Sequence, residues 1–177
     1  MTPDGAFGYT PERDADTVSR VDLGARRIVR TVAFPAGSKP FMLRLTPDAR
    51  RLWVQTSGAN TNVLLDAETL AMIGSTPAGL DPEQVAFQPH GPYALIAHLA
   101  SEALWVLETA TGAVVTQIAC GVNQANISYL PDGSLAFVAS PGGDEVLVVD
   151  MARLAIVDRI ASVGQPFGLV LLDPAEF

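Results

Sequence analysis

The chain has 177 residues, of which 49% are hydrophobic and 17% are charged, and its formal net charge is −8. This composition is too apolar for a disordered chain, and the length suffices to bury a core. The acidic balance argues against nucleic-acid binding, since basic residues cluster only at residues 26–30. No apolar run approaches the roughly 18 residues of a membrane helix, and residues 1–5 lack the features of a signal peptide.

One sequence unit recurs four times, and its clearest mark is a turn of the Thr-Pro-Asp-Gly type. The copies of this turn start at Thr2, Thr46, Gln88 and Leu130, in steps of 44, 42 and 42 residues. A second set of acidic residues keeps the same step and closes four short apolar runs: Asp22, Asp66, Glu108 and Asp150. Proline presets φ in such a turn and aspartate bonds the backbone ahead, so we interpret the motif as turn chemistry rather than a catalytic pair.

Each repeat predicts four strands, as the second repeat illustrates. Residues 51–55, 62–66 and 71–75 are three short strand-like runs, and residues 84–87 open the next repeat. No stretch sustains the apolar period of a helix. A repeat of about 40 to 45 residues is the length of one propeller blade. We therefore predict an all-β fold, a β-propeller of four-stranded antiparallel blades, with about four blades as a small or partial propeller.

The blades are expected to form one continuous array over residues 1–177, with repeats at approximately 2–45, 46–87, 88–129 and 130–177. Residues 166–171 read as a further first strand, which brings the number of candidate strands to sixteen. Three arrangements follow from this count. Four blades close on themselves, two chains share one ring as a homodimer, or the chain is part of a larger propeller.

The repeat resembles the YVTN family of bacterial β-propeller repeats. The resemblance is carried by Pro40-Phe41, Thr46-Pro47-Asp48, Leu52-Trp53-Val54, Val63-Leu64-Leu65-Asp66 and, in the third repeat, Ala110-Thr111-Gly112. It implies a seven-bladed ring in a larger, often exported protein, and thus a periplasmic or extracellular location, although the chain shows no signal peptide. The resemblance is specific for fold and weak for function.

A binding surface is expected where the loops between second and third strands share one face with the loops that join successive blades. These loops are predominantly acidic, so the surface should attract a cation or a basic partner. The predicted binding residues are Asp14, Asp16, Asp81, His98, Glu102, Asp144 and Glu145.

His98 is the most distinctive of these residues, because Glu102 follows it by four positions. An imidazole and a carboxylate can form an acid/base pair or supply two metal ligands, and the alternative is an exposed loop histidine. His90 falls in a turn on the opposite face, so the two histidines cannot share one metal. Cys120 is a lone cysteine of the kind that is usually buried. The sequence shows no established catalytic, phosphate-binding or haem-attachment motif, so we predict no catalytic residue, metal or cofactor.

Two functions are compatible with these features. The first is a non-catalytic scaffold that binds a protein or a small ligand through the loop face, without nucleic acid or a membrane span. The predicted first strands are mostly apolar, as at residues 41–43 and 167–169, which favours this interpretation. The second is part of a propeller enzyme, which the resemblance suggests as a lactone hydrolase or a propeller subunit of a quinoprotein or denitrification redox enzyme.

Overall fold

A computed structural model describes residues 1–162 and 164–171. Within these residues the chain forms fifteen β-strands and two single turns of 3-10 helix, at Arg13–Ala15 and Pro141–Gly143. None of the described helical turns has the length and apolar character needed to traverse a bilayer. The predicted all-β fold is confirmed.

The strands form four antiparallel sheets, each a meander of strands that are consecutive in the chain. Blade 1 contains β1 (Phe7–Glu12), β2 (Thr17–Asp22) and β3 (Arg27–Ala33). Blade 2 contains β4 (Pro40–Leu45), β5 (Arg51–Thr56), β6 (Thr61–Asp66) and β7 (Met72–Pro77). Blade 3 contains β8 (Pro82–Phe87), β9 (Tyr93–His98), β10 (Ala103–Glu108) and β11 (Val114–Ala119). Blade 4 contains β12 (Asn126–Tyr129), β13 (Leu135–Ser140), β14 (Glu145–Asp150) and β15 (Ala155–Ala161).

The chain divides into two compact units, Met1–Pro82 and Glu83–Phe177. Unit 1 contains blades 1 and 2, and its core includes Val18, Phe34, Val54 and Leu65. Unit 2 contains blades 3 and 4 apart from Pro82, and its core includes Leu95, Leu104, Val138 and Leu147. Because alternate residues of a strand point to opposite faces, each blade can contribute one row of side chains to such a core. The prediction of one array over the whole chain stays a prediction.

The repeated Pro-Asp turns have the structural role that the sequence predicts. The Thr46 hydroxyl donates to Asp48 over 2.6 Å and accepts a 3.0 Å bond from the Arg51 amide. Asp48 also accepts a 3.0 Å bond from the Arg50 amide, and these bonds hold the pKa of its carboxyl below the usual range. Asp66 caps the next turn by accepting a 2.7 Å bond from the Thr69 amide.

The last strand of each of the four blades carries a bulge at the same place in the repeat. The strand pairing skips one residue there: Val29, Ile73, Val115 and Val157. Their side chains are β-branched and 36%, 52%, 45% and 49% exposed. A bulge interrupts the regular edge of a sheet and makes pairing with a foreign strand less favourable. The repeat therefore includes protection for its outer edges, which the strand-like sequence did not reveal.

The expected sixteenth strand is not formed by the described residues 164–171, and within the described chain blade 1 has three strands. The polar groups of the Leu169 backbone bind side chains instead. Its amide donates to Asn126 over 3.2 Å, and its carbonyl accepts a 3.0 Å bond from the Ser128 hydroxyl. This segment therefore lies against β12 of blade 4 without backbone pairing, which corrects the strand prediction for residues 166–171.

Candidate functional site

In each unit, the loops between second and third strands lie against the loops that join successive blades. We call this side of a blade the loop end and the side with the Pro-Asp turns the turn end. In unit 1, the Ser57 and Gly58 amides donate to the Lys39 and Ser38 carbonyls over 3.1 and 3.0 Å. In unit 2, the Cys120 amide donates to the Glu102 carbonyl over 3.0 Å. The predicted juxtaposition of these loops is therefore present within both units.

Asp16 acts as an anchor between the two loops of blade 1. Its carboxylate accepts bonds of 2.7 Å from the Gly37 amide and 2.6 Å from the Lys39 amide. These backbone bonds, led by the one from Lys39, lower the pKa of Asp16. Its φ of 53° is left-handed, a conformation that Asp and Asn tolerate better than most residues. Asp16 is thus structurally engaged, although the sequence suggested a binding role.

Asp144 and Asn60 repeat this arrangement in blades 4 and 2. Asp144 has a φ of 52° and accepts a 2.8 Å bond from the Gln165 amide. Asn60 has a φ of 53° and accepts a 3.0 Å bond from the Asp81 amide. The sequence contains a signal for this anchor: an Asp or Asn directly before the third strand, in phase with the repeat. Because the partner is a backbone amide, the sequence alone does not identify it.

The other predicted acidic residues differ in their availability. Glu145 forms an ion pair with Arg159, whose side chain is 47% exposed. The side chains of Asp14, Asp81 and Glu102 lie at the surface of the loop ends, Asp14 and Asp81 in unit 1 and Glu102 in unit 2. Asp144 is also exposed, although it accepts the bond from the Gln165 amide, so four of the predicted carboxylates face the solvent.

His98 is placed differently from the sequence-based expectation. It is the last residue of β9 and is fully buried, whereas Glu102 is exposed in the following loop. The ring Nδ1 lies 3.2 Å from the Ala103 carbonyl, and the ring packs against Trp105 at a centroid distance of 5.9 Å. Burial lowers the pKa of His98 to about 4. The imidazole is therefore neutral near pH 7 and serves as a packed core residue, because β9 extends one residue beyond the predicted loop boundary.

The remaining candidate groups show no metal-binding geometry. Within residues 1–162 and 164–171, no three His, Cys, Asp or Glu side chains are arranged to hold a metal ion. Cys120 is buried, and this burial raises the pKa of its thiol to about 11. A thiol with a raised pKa is a poor nucleophile at neutral pH.

Blade 2 carries a buried polar pair that the sequence did not single out. Gln55 and Asn62 are fully buried and opposite each other in the pairing of β5 and β6. The Gln55 Nε2 donates to the Asn62 Oδ1 over 2.9 Å, while Gln55 Oε1 and Asn62 Nδ2 have no hydrogen-bond partner in the described chain. Blade 3 has Ala97 and Leu104 at the corresponding positions, so this pair distinguishes blade 2 from its neighbour in the repeat.

A cavity of about 400 Å³ lies at the loop end of unit 1. One wall is the loop that joins blades 1 and 2, and the other is blade 2 itself. The lining consists of small, hydroxyl-bearing and apolar residues: Phe34, Pro35, Ala36, Gly37, Ser38, Thr56, Gly58, Ala59, Thr61, Val63, Met72 and Ser75.

No family model matches the chain, and no curated protein matches it significantly. Solved structures do. The periplasmic gluconolactonase PpgL of Pseudomonas aeruginosa has a TM-score of 0.78 and 18% identity, over 96% of this chain and 55% of that one. The dihydro-heme d1 dehydrogenase NirN, in complex with DHE, has a TM-score of 0.75 and 26% identity, over 94% and 37%. Hydrazine synthase of Kuenenia stuttgartiensis has a TM-score of 0.68 and 23% identity, over 76% and 39%.

These similarities, together with the four antiparallel sheets, confirm the fold. The chain has the β-propeller fold, in about four blades. It spans between 37% and 55% of the length of the three structures named above. The names of these proteins describe three different activities, so the shared fold does not select one of them.

Proposed function

We propose that the chain is a non-catalytic binding scaffold that recognises a basic protein segment through exposed carboxylates at the loop end. In unit 1 these carboxylates are Asp14 and Asp81. Their charge favours lysine- or arginine-rich partners, and attraction between exposed charges should weaken as salt rises.

The proposal rests on the hydrogen bonds, the ion pair and the burial that engage the other polar residues at the loop ends. Asp16 and Asp144 hold backbone amides, Glu145 is paired with Arg159, and His98 is buried with a lowered pKa. Hydrogen bonds, an ion pair or burial engage these four residues within the chain. Asp14 and Asp81, by contrast, are exposed and available for binding.

The test is a fluorescence-anisotropy titration of a labelled seven-residue lysine peptide and a seven-residue glutamate peptide. We expect saturable binding of the basic peptide only, weakening as salt is raised. Asp14→Asn with Asp81→Asn should weaken binding about fivefold or more, the effect of roughly 1 kcal/mol for a charge pair in water. The matched control removes two charges away from the loop end, with Glu68→Gln and Asp158→Asn, and should retain the affinity. Equal weakening by both double variants would reduce the effect to net charge and overturn the loop-end assignment.

A second candidate function is the catalytic part of a propeller enzyme. It is favoured by the names of two similar structures, a gluconolactonase and a heme d1 dehydrogenase. A direct test is hydrolysis of glucono-lactone by the purified chain, compared with the spontaneous rate. Acceleration that is retained in the Asp14→Asn and Asp81→Asn double variant would support this candidate over the scaffold.

The proposal also includes an assignment of the repeat family and a possible homodimer. We assign the repeat to the YVTN type on the motifs that it shares with that family. A ring shared by two chains would give a solution mass of twice 18.6 kDa. Light scattering on a sizing column distinguishes this homodimer from a monomer.

A further inference from the structure

The cavity in unit 1 is lined in blade 2 by a small residue, Ser75, at a position that recurs in every blade. Ser75 lies opposite Val63 in the pairing of β6 and β7. The corresponding residue is Gln117 in blade 3 and Arg159 in blade 4. In blade 4 that arginine extends to an ion pair with Glu145. A serine at position 75 leaves space that longer side chains occupy in blades 3 and 4, whereas blade 1 has the short Thr31 at this position.

The walls of this cavity are held in place by bonds that do not need a ligand. A Cβ at Gly58 would lie 2.0 Å from the Gly37 carbonyl oxygen, so glycine allows the two loops to meet there. The Ser38 hydroxyl donates to the Pro35 carbonyl over 2.6 Å. The Thr56 and Thr61 hydroxyls share a 2.7 Å bond. Because the cavity is already formed, little binding free energy is lost in ordering its walls.

The chemistry of the lining selects against charge. All described lining residues are uncharged, and the nearby Asp16 carboxylate already accepts bonds from Gly37 and Lys39. Phe34 and Val63 supply apolar surface, and the flexible Met72 side chain, 53% exposed, can adapt to a ring. Ser75 adds a hydroxyl at the outer wall. Pockets of about 300 to 1,000 Å³ with mostly apolar lining and few polar groups are typical of small-molecule sites.

We propose that this cavity binds a small uncharged ring compound, with its apolar face against Phe34, Val63 and Met72 and one polar group within reach of the hydroxyls. This inference does not depend on the exposed carboxylates, so the Asp14→Asn and Asp81→Asn double variant should keep the site. Loss of peptide binding and loss of ring binding are therefore separate results.

The test uses indole as the probe and the methyl resonance of Met72 as the readout, in the full 177-residue chain. We expect a saturable shift of that resonance, with a Kd of about 1 mM, as befits a ligand of this size. Indole-3-acetate has a similar ring and a negative charge, and should bind at least tenfold more weakly. Equal binding of the two probes would overturn the selection against charge.

The decisive variant is Ser75→Gln, which introduces the residue that blade 3 has at this position. It should reduce indole binding at least tenfold while the chain stays folded. Ile73→Gln on the same strand is the matched control, because Ile73 is exposed and does not line the cavity. If Ser75→Gln disturbs folding, Ala59→Leu fills the cavity from an exposed loop instead. Undiminished indole binding by a folded cavity-filling variant would overturn the proposal.

Discussion

The turn end and the loop end of the blades use the same residue types for different purposes. At the turn end, Asp48 and Asp66 repeat the same local capping bonds in successive turns. At the loop end, Asp16 anchors a loop more than twenty residues away in sequence, Glu145 pairs with an arginine, and Asp14 is exposed. The structural role of a carboxylate in a local motif can therefore be predicted from the sequence. The role of one in a variable loop can be assigned only when its neighbours in the structure are known.

The largest expected effect is the pH response of the buried histidine at the loop end. His98 is buried at the loop end with a pKa of about 4, below the ordinary value of 6.5. The unfolded chain therefore binds the proton first as the pH falls, and stability should decrease between about pH 6.5 and 4. The full loss is on the order of 3 kcal/mol. Urea unfolding across this range measures it.

Two variants isolate this effect. His98→Phe should remove most of the slope, although the Ala103 carbonyl then loses its partner and the stability at pH 7 is lower. His90→Gln, which removes the exposed turn-end histidine, is the matched control. A slope that survives His98→Phe would show that other groups cause it.

The next effect concerns hydroxyl groups at the two ends of blade 2. Thr46→Val removes a buried hydroxyl that bonds both Asp48 and the Arg51 backbone, and should cost about 1 to 2 kcal/mol. Ser57→Ala removes an exposed 3.2 Å bond to the Lys39 carbonyl and should cost less than about 0.5 kcal/mol. Thermal unfolding of both variants ranks them. The reverse order would show that the buried Thr46 hydroxyl stabilises the chain less than the exposed Ser57 hydroxyl.

The smallest effect concerns the two ion pairs of blade 4. Arg159→Ala breaks the loop-end pair with Glu145, which should cost about 0.2 to 1 kcal/mol and less at high salt. Arg153→Ala breaks the turn-end pair with Asp150, whose arginine is 73% exposed, and should cost less. Denaturant midpoints in low and high salt provide the comparison. An equal and salt-independent loss would indicate lost packing rather than lost charge.

The sequence predicted the fold because its information is local and repeated. The Pro-Asp turns, the strand runs and the step of about 42 residues are all visible without tertiary contacts. Two features at the ends of elements were not predictable in this way. The burial of His98 depends on where β9 ends, and the position of residues 164–171 depends on side chains of β12. The anchoring role of Asp16 depends on amides that are distant in sequence. The space at the cavity becomes apparent only when the strand register aligns Ser75 with Gln117 and Arg159.

The most direct test of this account is amide hydrogen exchange at Gly37 and Lys39. The loop-end carboxylates include anchors such as Asp16 and exposed groups such as Asp14, and these two residues are only two positions apart. Asp16→Ala should accelerate exchange at both amides, whereas Asp16→Asn should preserve part of the protection, as Asn60 does in blade 2. Asp14→Asn should leave exchange unchanged. Acceleration by Asp14→Asn, or none by Asp16→Ala, would contradict the division on which the proposed binding surface rests.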